Sequence, residues 1–246
     1  MRNIIQSEAI VVIAEHFQGE IRPVTYELVH FAEALGQVGS RPVKILVLGE
    51  KVETLAESLA GTTGKDVLGI HAPQMAQYNG QVYKSVLHDI LGECPPAYVC
   101  IAHSSRGSEI APGLAMRLKA ACITGVSELS VHEGMICFSR DVYGGKINAD
   151  MVSATKTTVV TVQPGSYGPK PDKDQPRGNV CLKAMAAAPQ ASATLSTTPV
   201  QASDLDLSAA RVIVSAGRGI GEEENLQLVR DLAAVIPKAV VCGSRP

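Results

Sequence analysis

Short apolar runs alternate with amphipathic segments over roughly the first half of the chain. A continuous apolar run is typical of a strand buried on both faces, and apolar residues recurring every three or four positions are typical of a helix. The runs read AIVVIAE, VKILVLG, DVLGIHA and AYVCIAH, and the helical segments read VTYELVHFAEALG, VETLAESLAG, YKSVLHDILGE and SEIAPGLAMRLKAA. This order predicts an α/β fold with right-handed βαβ crossovers and a Rossmann-like parallel sheet covered on both faces.

Two residues within this pattern suggest where helices begin and end. Gly36 follows the last apolar residue of the first helical segment and is expected to end that helix. Pro112 is expected in the first turn of the fourth helix, where the missing N–H of proline has no intrahelical partner to lose.

The pattern changes after the fourth helix. The segments MICFSRDV and KINADMV flank the turn YGGK, and this arrangement predicts a hairpin with a glycine turn. The segment TTVVTVQPG predicts a further strand that ends at Pro164–Gly165. We therefore expect antiparallel strands to be added to the parallel sheet, within an N-terminal α/β domain of residues 1–168.

Prolines and low-complexity runs are concentrated in the next segment, which reads GPKPDKDQPRGN and then AMAAAPQASATLSTTPV. We interpret residues 169–206 as a linker or crossing segment, although TLSTTPV has the composition of a short edge strand. RVIVSAGRGIG then begins a second α/β unit, residues 207–246, with a buried strand, a glycine loop, a helix and a second strand.

Charge and composition narrow the classes of partner. The net charge of −2 argues against a nucleic-acid or membrane surface, and no apolar run reaches membrane-spanning length. The first residues, MRNIIQSEAIVVIAE, resemble neither a signal nor a transit peptide, so a cytoplasmic protein is expected. The six cysteines form no C-x-x-C pair and have no histidine at zinc spacing; they are expected to be reduced, buried residues, and no metal site is expected.

The strongest candidate chemistry lies in the second unit. Gly217 and Gly219 sit in the loop SAGRGIG, where glycine lets a backbone approach a phosphate, but the spacing is not the full G-x-G-x-x-G pattern. An ordinary strand-to-helix turn with a solvated Arg218 is the alternative. Ser244 and Arg245 follow the next strand, and the two arginines and the serine are expected to converge on one crevice for an anionic, phosphate-bearing cofactor.

A second phosphate-loop-like pattern lies in the first domain, where Ser104, Ser105 and Arg106 stand between a strand and a helix. His103 and His16 also follow strands, and each is expected to be a buried or capped histidine rather than a catalytic base. No G-x-S-x-G motif and no evident histidine–acid partner accompany the serines, so a serine hydrolase is disfavoured.

The last 35 residues resemble the flavin domain in the alpha subunit of electron-transfer flavoproteins. That family has a GGRG loop, an E-N pair and a strand that ends in SR. This chain has Ala216 in place of the first glycine, followed by GRG, Glu224–Asn225 and Ser244–Arg245. The first-domain stretches HSSRGSEIAPGLAMRLKAACITGVSEL, RDVYGGK and VTVQPGSY are also similar to stretches of that family, so the likeness covers nearly the whole chain.

The resemblance implies one half of an alpha–beta heterodimer that carries electrons on FAD, rather than an enzyme with its own substrate. The first domain would pack on the beta subunit. Arg218, Gly219 and Ser244 would contact FAD, and Arg245 would lie beside the isoalloxazine ring as the residue that acts on the redox centre. The donor would be a flavin dehydrogenase, such as an acyl-CoA dehydrogenase of fatty acid β-oxidation, and the acceptor a quinone oxidoreductase or a ferredoxin-linked protein.

The family's GQTG loop and G-I-S-G-A-x-Q-H stretch have no counterpart here. We therefore expect the second unit to be the first βαβ of an FAD domain that is incomplete in this chain. An electron-bifurcating role remains an open alternative, as does a non-redox nucleotide-binding or scaffold protein. A free-standing α/β enzyme is disfavoured because no catalytic constellation is present.

Overall fold

The computed structural model describes residues 5–168, 176–185, 196, 207 and 210–243. Contacts divide the chain into two units, Met1–Thr194 and Leu195–Pro246, and each is described by itself.

The first unit alternates strands and helices along the chain. Its strands are β1 (Ile10–Ile13), β2 (His16–Phe17), β3 (Glu20–Ile21), β4 (Val43–Gly49), β5 (Asp66–His71), β6 (Tyr98–Ala102), β7 (Ala121–His132), β8 (Met135–Val142), β9 (Ile147–Val152), β10 (Thr158–Val162) and β11 (Val180–Ala184). Its helices are α1 (Val24–Gly39), α2 (Glu53–Thr63), α3 (Gly80–Glu93) and α4 (Ser105–Leu118).

One large sheet organises the first unit. Within the described residues its strand order is β11-β5-β4-β1-β6-β10-β7-β8-β9, while β2 and β3 form a separate antiparallel ribbon. The strands from β11 to β7 pair in parallel, and β8 pairs antiparallel with both β7 and β9. The expected Rossmann-like α/β sheet with added antiparallel strands is confirmed.

Helices cover both faces of the parallel strands. Apolar residues of α1 and α2, among them Phe31 and Leu59, pack into the core on one face. Those of α3 and α4, among them Leu87 and Leu114, pack into the core on the other. Because the central strands contact helices on both faces, β1 is buried at every position, which explains its unbroken apolar run.

The structure corrects two helix boundaries. Helix α1 runs past Gly36 to Gly39 and ends at Ser40, whose φ of 49° is left-handed. Gly36 instead lets the backbone at Arg41 pass close to α1, since a Cβ on residue 36 would lie 2.9 Å from the carbonyl oxygen of Arg41. Helix α4 begins at Ser105, so Pro112 lies in its interior rather than in its first turn and cannot donate to the carbonyl of Ser108.

The predicted hairpin forms between β8 and β9, with Val142 opposite Ile147. Its turn holds Tyr143, Gly144 and Gly145 at φ values of 54°, 67° and 83°, a conformation that favours glycine. The predicted strand β10 also forms, but it lies between β6 and β7 and is parallel to both. It is thus a central strand, buried throughout, and not part of the antiparallel addition.

The structure departs from the expected linker at Val180–Ala184, which form the edge strand β11 and pair in parallel with β5. The preceding residues are anchored too: the Gly178 N–H donates to the Ala60 carbonyl at 3.1 Å. A Cβ on Gly178 would lie 1.9 Å from the carbonyl oxygen of Lys65. The backbone at Gly178 therefore passes too close to the backbone at Lys65 for any residue larger than glycine. The segment TLSTTPV, for which a short edge strand is a possibility, lies outside the described residues apart from Ser196.

The second unit contains β12 (Val212–Ala216), α5 (Leu226–Ala234) and β13 (Ala239–Gly243). The two strands are parallel, in register from Val212 opposite Ala239 to Ala216 opposite Gly243. The strand, glycine loop, helix and strand expected from the sequence are therefore present. The expectation of a buried strand is wrong, however, because β12 and β13 consist of half-buried and exposed residues, and α5 is the one α-helix of this unit in the described part of the chain. Within this unit Val229 and Ala233 of α5 are buried.

Candidate functional site

The first candidate site is the loop that leaves β12. Because β12 and β13 are parallel, their carboxyl ends, Ala216 and Gly243, lie side by side at one edge. The loop continues from Gly217 into a 3₁₀ turn, Arg218–Ile220, in which the Ile220 N–H donates to the Gly217 carbonyl at 3.0 Å. This is the edge at which open parallel sheets bind ligands.

A side chain from the start of the helix fixes this loop. The Asn225 amide donates through Nδ2 to the carbonyl oxygen of Ile220 at 2.8 Å. Gly221 lies between them at a φ of 73°, which a glycine adopts without strain. The sequence showed the Glu224–Asn225 pair as a motif but not that Asn225 holds the glycine loop in place.

The acidic residues that precede α5 in the chain lie outside the helix. Glu223–Asn225 form a separate 3₁₀ turn, and α5 begins only at Leu226. The glutamate side chains at 222, 223 and 224 are exposed. The negative charge is therefore carried by a turn before the helix.

Gly217 and Gly219 have no requirement for glycine within the described chain. Neither has a positive φ, and a Cβ on either would meet no atom within 4 Å. Arg218 between them is exposed and makes no ion pair with any described residue. The loop is thus an open backbone surface with one available cation, and this arrangement suits the close approach of a phosphate group.

The other two predicted cofactor residues, Ser244 and Arg245, lie outside the described residues. In sequence they follow Gly243, the last residue of β13. Their roles remain predictions.

A second site lies in the first unit, at the carboxyl ends of β1 and β6. These strands are neighbours, with Ile10 opposite Tyr98 and Val12 opposite Cys100. The cleft has a volume of about 290 Å³ and is lined by Glu15, His16, Phe17, Arg22, Ser104, Ser105 and Arg106. The structure thus brings together the phosphate-loop-like serines and arginine with His16.

Hydrogen bonds organise this cleft. The Ser104 hydroxyl caps α4 by accepting from the Gly107 N–H at 3.1 Å, and it donates to the Glu15 carboxylate. Arg106 donates from Nη1 to the His16 carbonyl at 3.0 Å, and its guanidinium lies 4.7 Å from the centre of the Tyr78 ring. Arg106 is therefore held in one orientation at the mouth of the cleft.

The histidines have structural partners, as expected. His16 Nε2 lies 2.7 Å from the Leu48 carbonyl and donates to it, while its Nδ1 is buried without a partner among the described residues. The Tyr83 hydroxyl donates to the same carbonyl at 3.1 Å, and burial raises the pKa of Tyr83 to about 12. His103 Nδ1 lies 2.8 Å from the Thr161 hydroxyl oxygen. These contacts tie the imidazoles to neighbouring strands.

Within the described parts of the chain, no helix combines the length and the apolar character needed to cross a membrane.

Comparison with known proteins identifies the family. Residues 10–203 match the electron transfer flavoprotein domain, and residues 206–246 match the electron transfer flavoprotein FAD-binding domain. The chain therefore belongs to the electron transfer flavoprotein family, as an alpha subunit. Its cofactor is FAD, it carries electrons, and a beta subunit is its partner.

Individual relatives agree with this assignment. The alpha subunit of the electron transfer flavoprotein from Bacillus subtilis is 27% identical over 94% of this chain and 70% of its own length. The alpha subunit from Syntrophomonas wolfei is 30% identical over 95% of this chain and 72% of its own length. Subunit LctC of the lactate dehydrogenase (NAD(+),ferredoxin) of Acetobacterium woodii is 27% identical over 96% of this chain, which spans 57% of that subunit.

Proposed function

We propose that this subunit, paired with its beta subunit, takes electrons from a flavin dehydrogenase and passes them to a quinone oxidoreductase or a ferredoxin-linked acceptor. The similarity to LctC, whose name includes NAD(+) and ferredoxin, supports the ferredoxin-linked form. Acyl-CoA dehydrogenases are the proposed donors in a β-oxidation setting. We place the protein in the cytoplasm, a reducing compartment, and the free thiols of all six cysteines support this placement.

Arg218 and Gly219 are proposed to hold the phosphate-bearing part of FAD. The open space over Gly219 allows a phosphate oxygen to reach the backbone, and Arg218 supplies a charge-assisted hydrogen bond. Bound FAD supplies one- and two-electron transfer. Ser244 and Arg245 are assigned to FAD by the family resemblance, Ser244 as a contact and Arg245 beside the isoalloxazine ring.

The observation that carries this proposal is that no described residue gives an internal reason for glycine at 217 and 219, in a loop to which Asn225 donates a hydrogen bond. A loop whose only purpose is to connect a strand to a helix would accept a side chain at either position. A loop that receives a ligand against its backbone would not.

The test uses the complex co-expressed with its beta subunit. Arg218→Ala should raise the dissociation constant for FAD by about tenfold or more, since a hydrogen bond to a charged group contributes about 1.5–3 kcal/mol. Arg230→Ala is the matched control, because Arg230 is an exposed arginine on α5 of the same unit. FAD retention is measured by absorbance after dialysis, together with thermal unfolding.

Equal FAD retention in the Arg218→Ala and Arg230→Ala complexes would reject the assignment of Arg218. A complex without FAD even for the unaltered sequence would reject the proposed transfer of electrons from a flavin dehydrogenase through this chain.

A further inference from the structure

The cleft between β1 and β6 lies where the sheet changes the direction of its connections. The chain leaves β1 for α1, which packs on one face of the sheet, and leaves β6 for α4, which packs on the other. The two connections diverge at the carboxyl ends of adjacent parallel strands, and this opens a crevice between them. In open α/β sheets such a crevice is the usual place for a ligand.

Several hydrogen-bond donors face this cleft. The side chains of Arg22, Ser105 and Arg106 line it. The first backbone N–H groups of α4, those of Ser105 and Arg106, donate to no acceptor among the described residues. The Ser104 hydroxyl accepts from the Gly107 N–H, and the Ser104 carbonyl accepts from the Ser108 N–H. These N–H groups are at the N-terminus of a 14-residue helix, and the dipole of that helix favours an anion bound at this end.

Arg106 is preorganised for binding. Its contact with the His16 carbonyl uses Nη1, and the Tyr78 ring supports one face of the guanidinium. The Tyr78 hydroxyl donates to Glu109 at 2.8 Å, so the nearest carboxylate on α4 is engaged elsewhere. Arg106 forms no ion pair within the described chain. Little side-chain entropy is then lost when a ligand binds.

The charge balance of the cleft favours an anion. Two arginines, Arg22 and Arg106, face one carboxylate, Glu15. Glu15 already accepts the hydroxyl of Ser104, which partly satisfies its charge. A dianion is therefore favoured over a neutral ligand, although Glu15 will limit how deeply the anion enters.

We propose that this cleft is a binding site for a phosphate monoester, with the phosphate held by Arg22, Arg106, the Ser105 hydroxyl and the start of α4. The cleft of about 290 Å³ is far larger than the volume of one water molecule, about 30 Å³, and leaves room for the organic substituent. The proposal goes beyond the proposed function: the cleft belongs to the first unit, whereas residues 206–246 of the second unit match the FAD-binding domain.

The test measures phosphate binding by calorimetry on the FAD-loaded complex with the beta subunit, so that FAD already fills its own site. Inorganic phosphate and ribose 5-phosphate are the probes. Arg22→Gln and Arg106→Gln should each weaken the binding of both probes by at least tenfold. Arg117→Gln is the matched control, since Arg117 lies in the last turn of the same helix and is exposed, and it should leave binding unchanged.

Ribose 5-phosphate should bind more tightly than inorganic phosphate, because the sugar occupies the remainder of the cleft. If the complex binds neither probe, or if the two glutamine variants bind them as the unaltered complex does, the site is overturned. Binding of inorganic phosphate with exclusion of ribose 5-phosphate would overturn the monoester class. Arg22 is exposed, so Arg22→Gln remains informative even if Arg106→Gln fails to fold.

Discussion

The Lys44 ammonium donates to the Asp66 carboxylate across neighbouring strands, with 2.6 Å between Nζ and Oδ2. The other carboxylate oxygen, Oδ1, accepts from the backbone N–H of Asn179 at 2.9 Å and from its side-chain amide at 3.0 Å. One carboxylate therefore joins β4, β5 and the chain entering β11. The hydrogen bond from Lys44, followed by that from Asn179, lowers the pKa of Asp66 below its ordinary value of 3.8.

The first prediction concerns pH. Because the pKa of Asp66 is lower in the folded chain than in the unfolded chain, its contribution to stability is complete above about 3.8 and is lost as the pH falls through the folded value. Asp66→Asn should lower the free energy of unfolding by about 1–2 kcal/mol at neutral pH and by much less in acid. Denaturant titrations at several pH values measure this. Asp89→Asn, at an exposed position on α3, is the control, and an equal loss at every pH would contradict the argument.

The second prediction concerns the contact between α4 and β6. A Cβ on Gly107 would lie 1.8 Å from the carbonyl oxygen of Ala102, a distance that requires the helix to shift. Gly107→Ala should reduce the free energy of unfolding of the first unit by about 2–3 kcal/mol. Gly61→Ala is the matched control on α2, because a Cβ there meets nothing within 4 Å and should stabilise the helix by about 0.5–1 kcal/mol. Urea denaturation followed by circular dichroism compares them, and similar midpoints would show that the close approach is unimportant.

The sequence predicted best the features that depend on local pattern. Strand β4 has the predicted bounds, Val43–Gly49, because its apolar run is long and both of its faces are covered. Strand β11 was missed because its five residues, VCLKA, stand among prolines and lysines, and only the pairing with β5 makes them a strand. The position of β10 was also beyond local pattern, since it depends on pairing with strands distant in sequence.

In the candidate sites too, the sequence predicted the features set by local pattern and missed those set by contacts between separate elements. The loop at Gly217–Gly219 follows from glycine content between a strand and a helix. The hydrogen bond from Asn225 to Ile220 does not, because it requires the 3₁₀ turns on either side to bring the two residues together. The cleft in the first unit follows from strand order, which a single sequence does not specify.

The third prediction concerns Arg245 and rests on the family resemblance. A cation about 4 Å from the flavin ring would stabilise the negative charge gained on reduction by roughly 4 kcal/mol at an effective dielectric near 20, or on the order of 150 mV for one electron. Arg245→Ala in the FAD-loaded complex should lower the first one-electron potential by that order. Arg245→Lys should restore part of it, since the charge is kept and the planar surface is lost.

A spectroelectrochemical titration measures these potentials, with Arg218→Ala as the comparison that should alter FAD retention more than potential. If Arg245→Ala retains FAD and its first potential moves by less than about 20 mV, Arg245 does not lie beside the ring.

The fourth prediction concerns assembly. Family membership implies a beta subunit, and we expect the first unit to form a large interface with it. Co-expression should give a one-to-one complex, and the alpha chain expressed by itself should have low solubility or low stability. Light scattering on a gel-filtration column measures the mass of the complex and shows whether the lone chain elutes as a monomer. A soluble, stable monomer of the lone chain, with no complex on addition of the beta subunit, would count against the assignment.

The central position of β10 has a consequence for synthesis on the ribosome. Strands β6 and β7 precede β10 in the chain, yet each pairs with β10 and not with the other. Until Thr158–Val162 have left the exit tunnel, the nascent sheet therefore remains in two pieces, each with an unpaired apolar edge. The first unit is therefore expected to complete its sheet late in synthesis, and the unpaired edges are where a chaperone would bind.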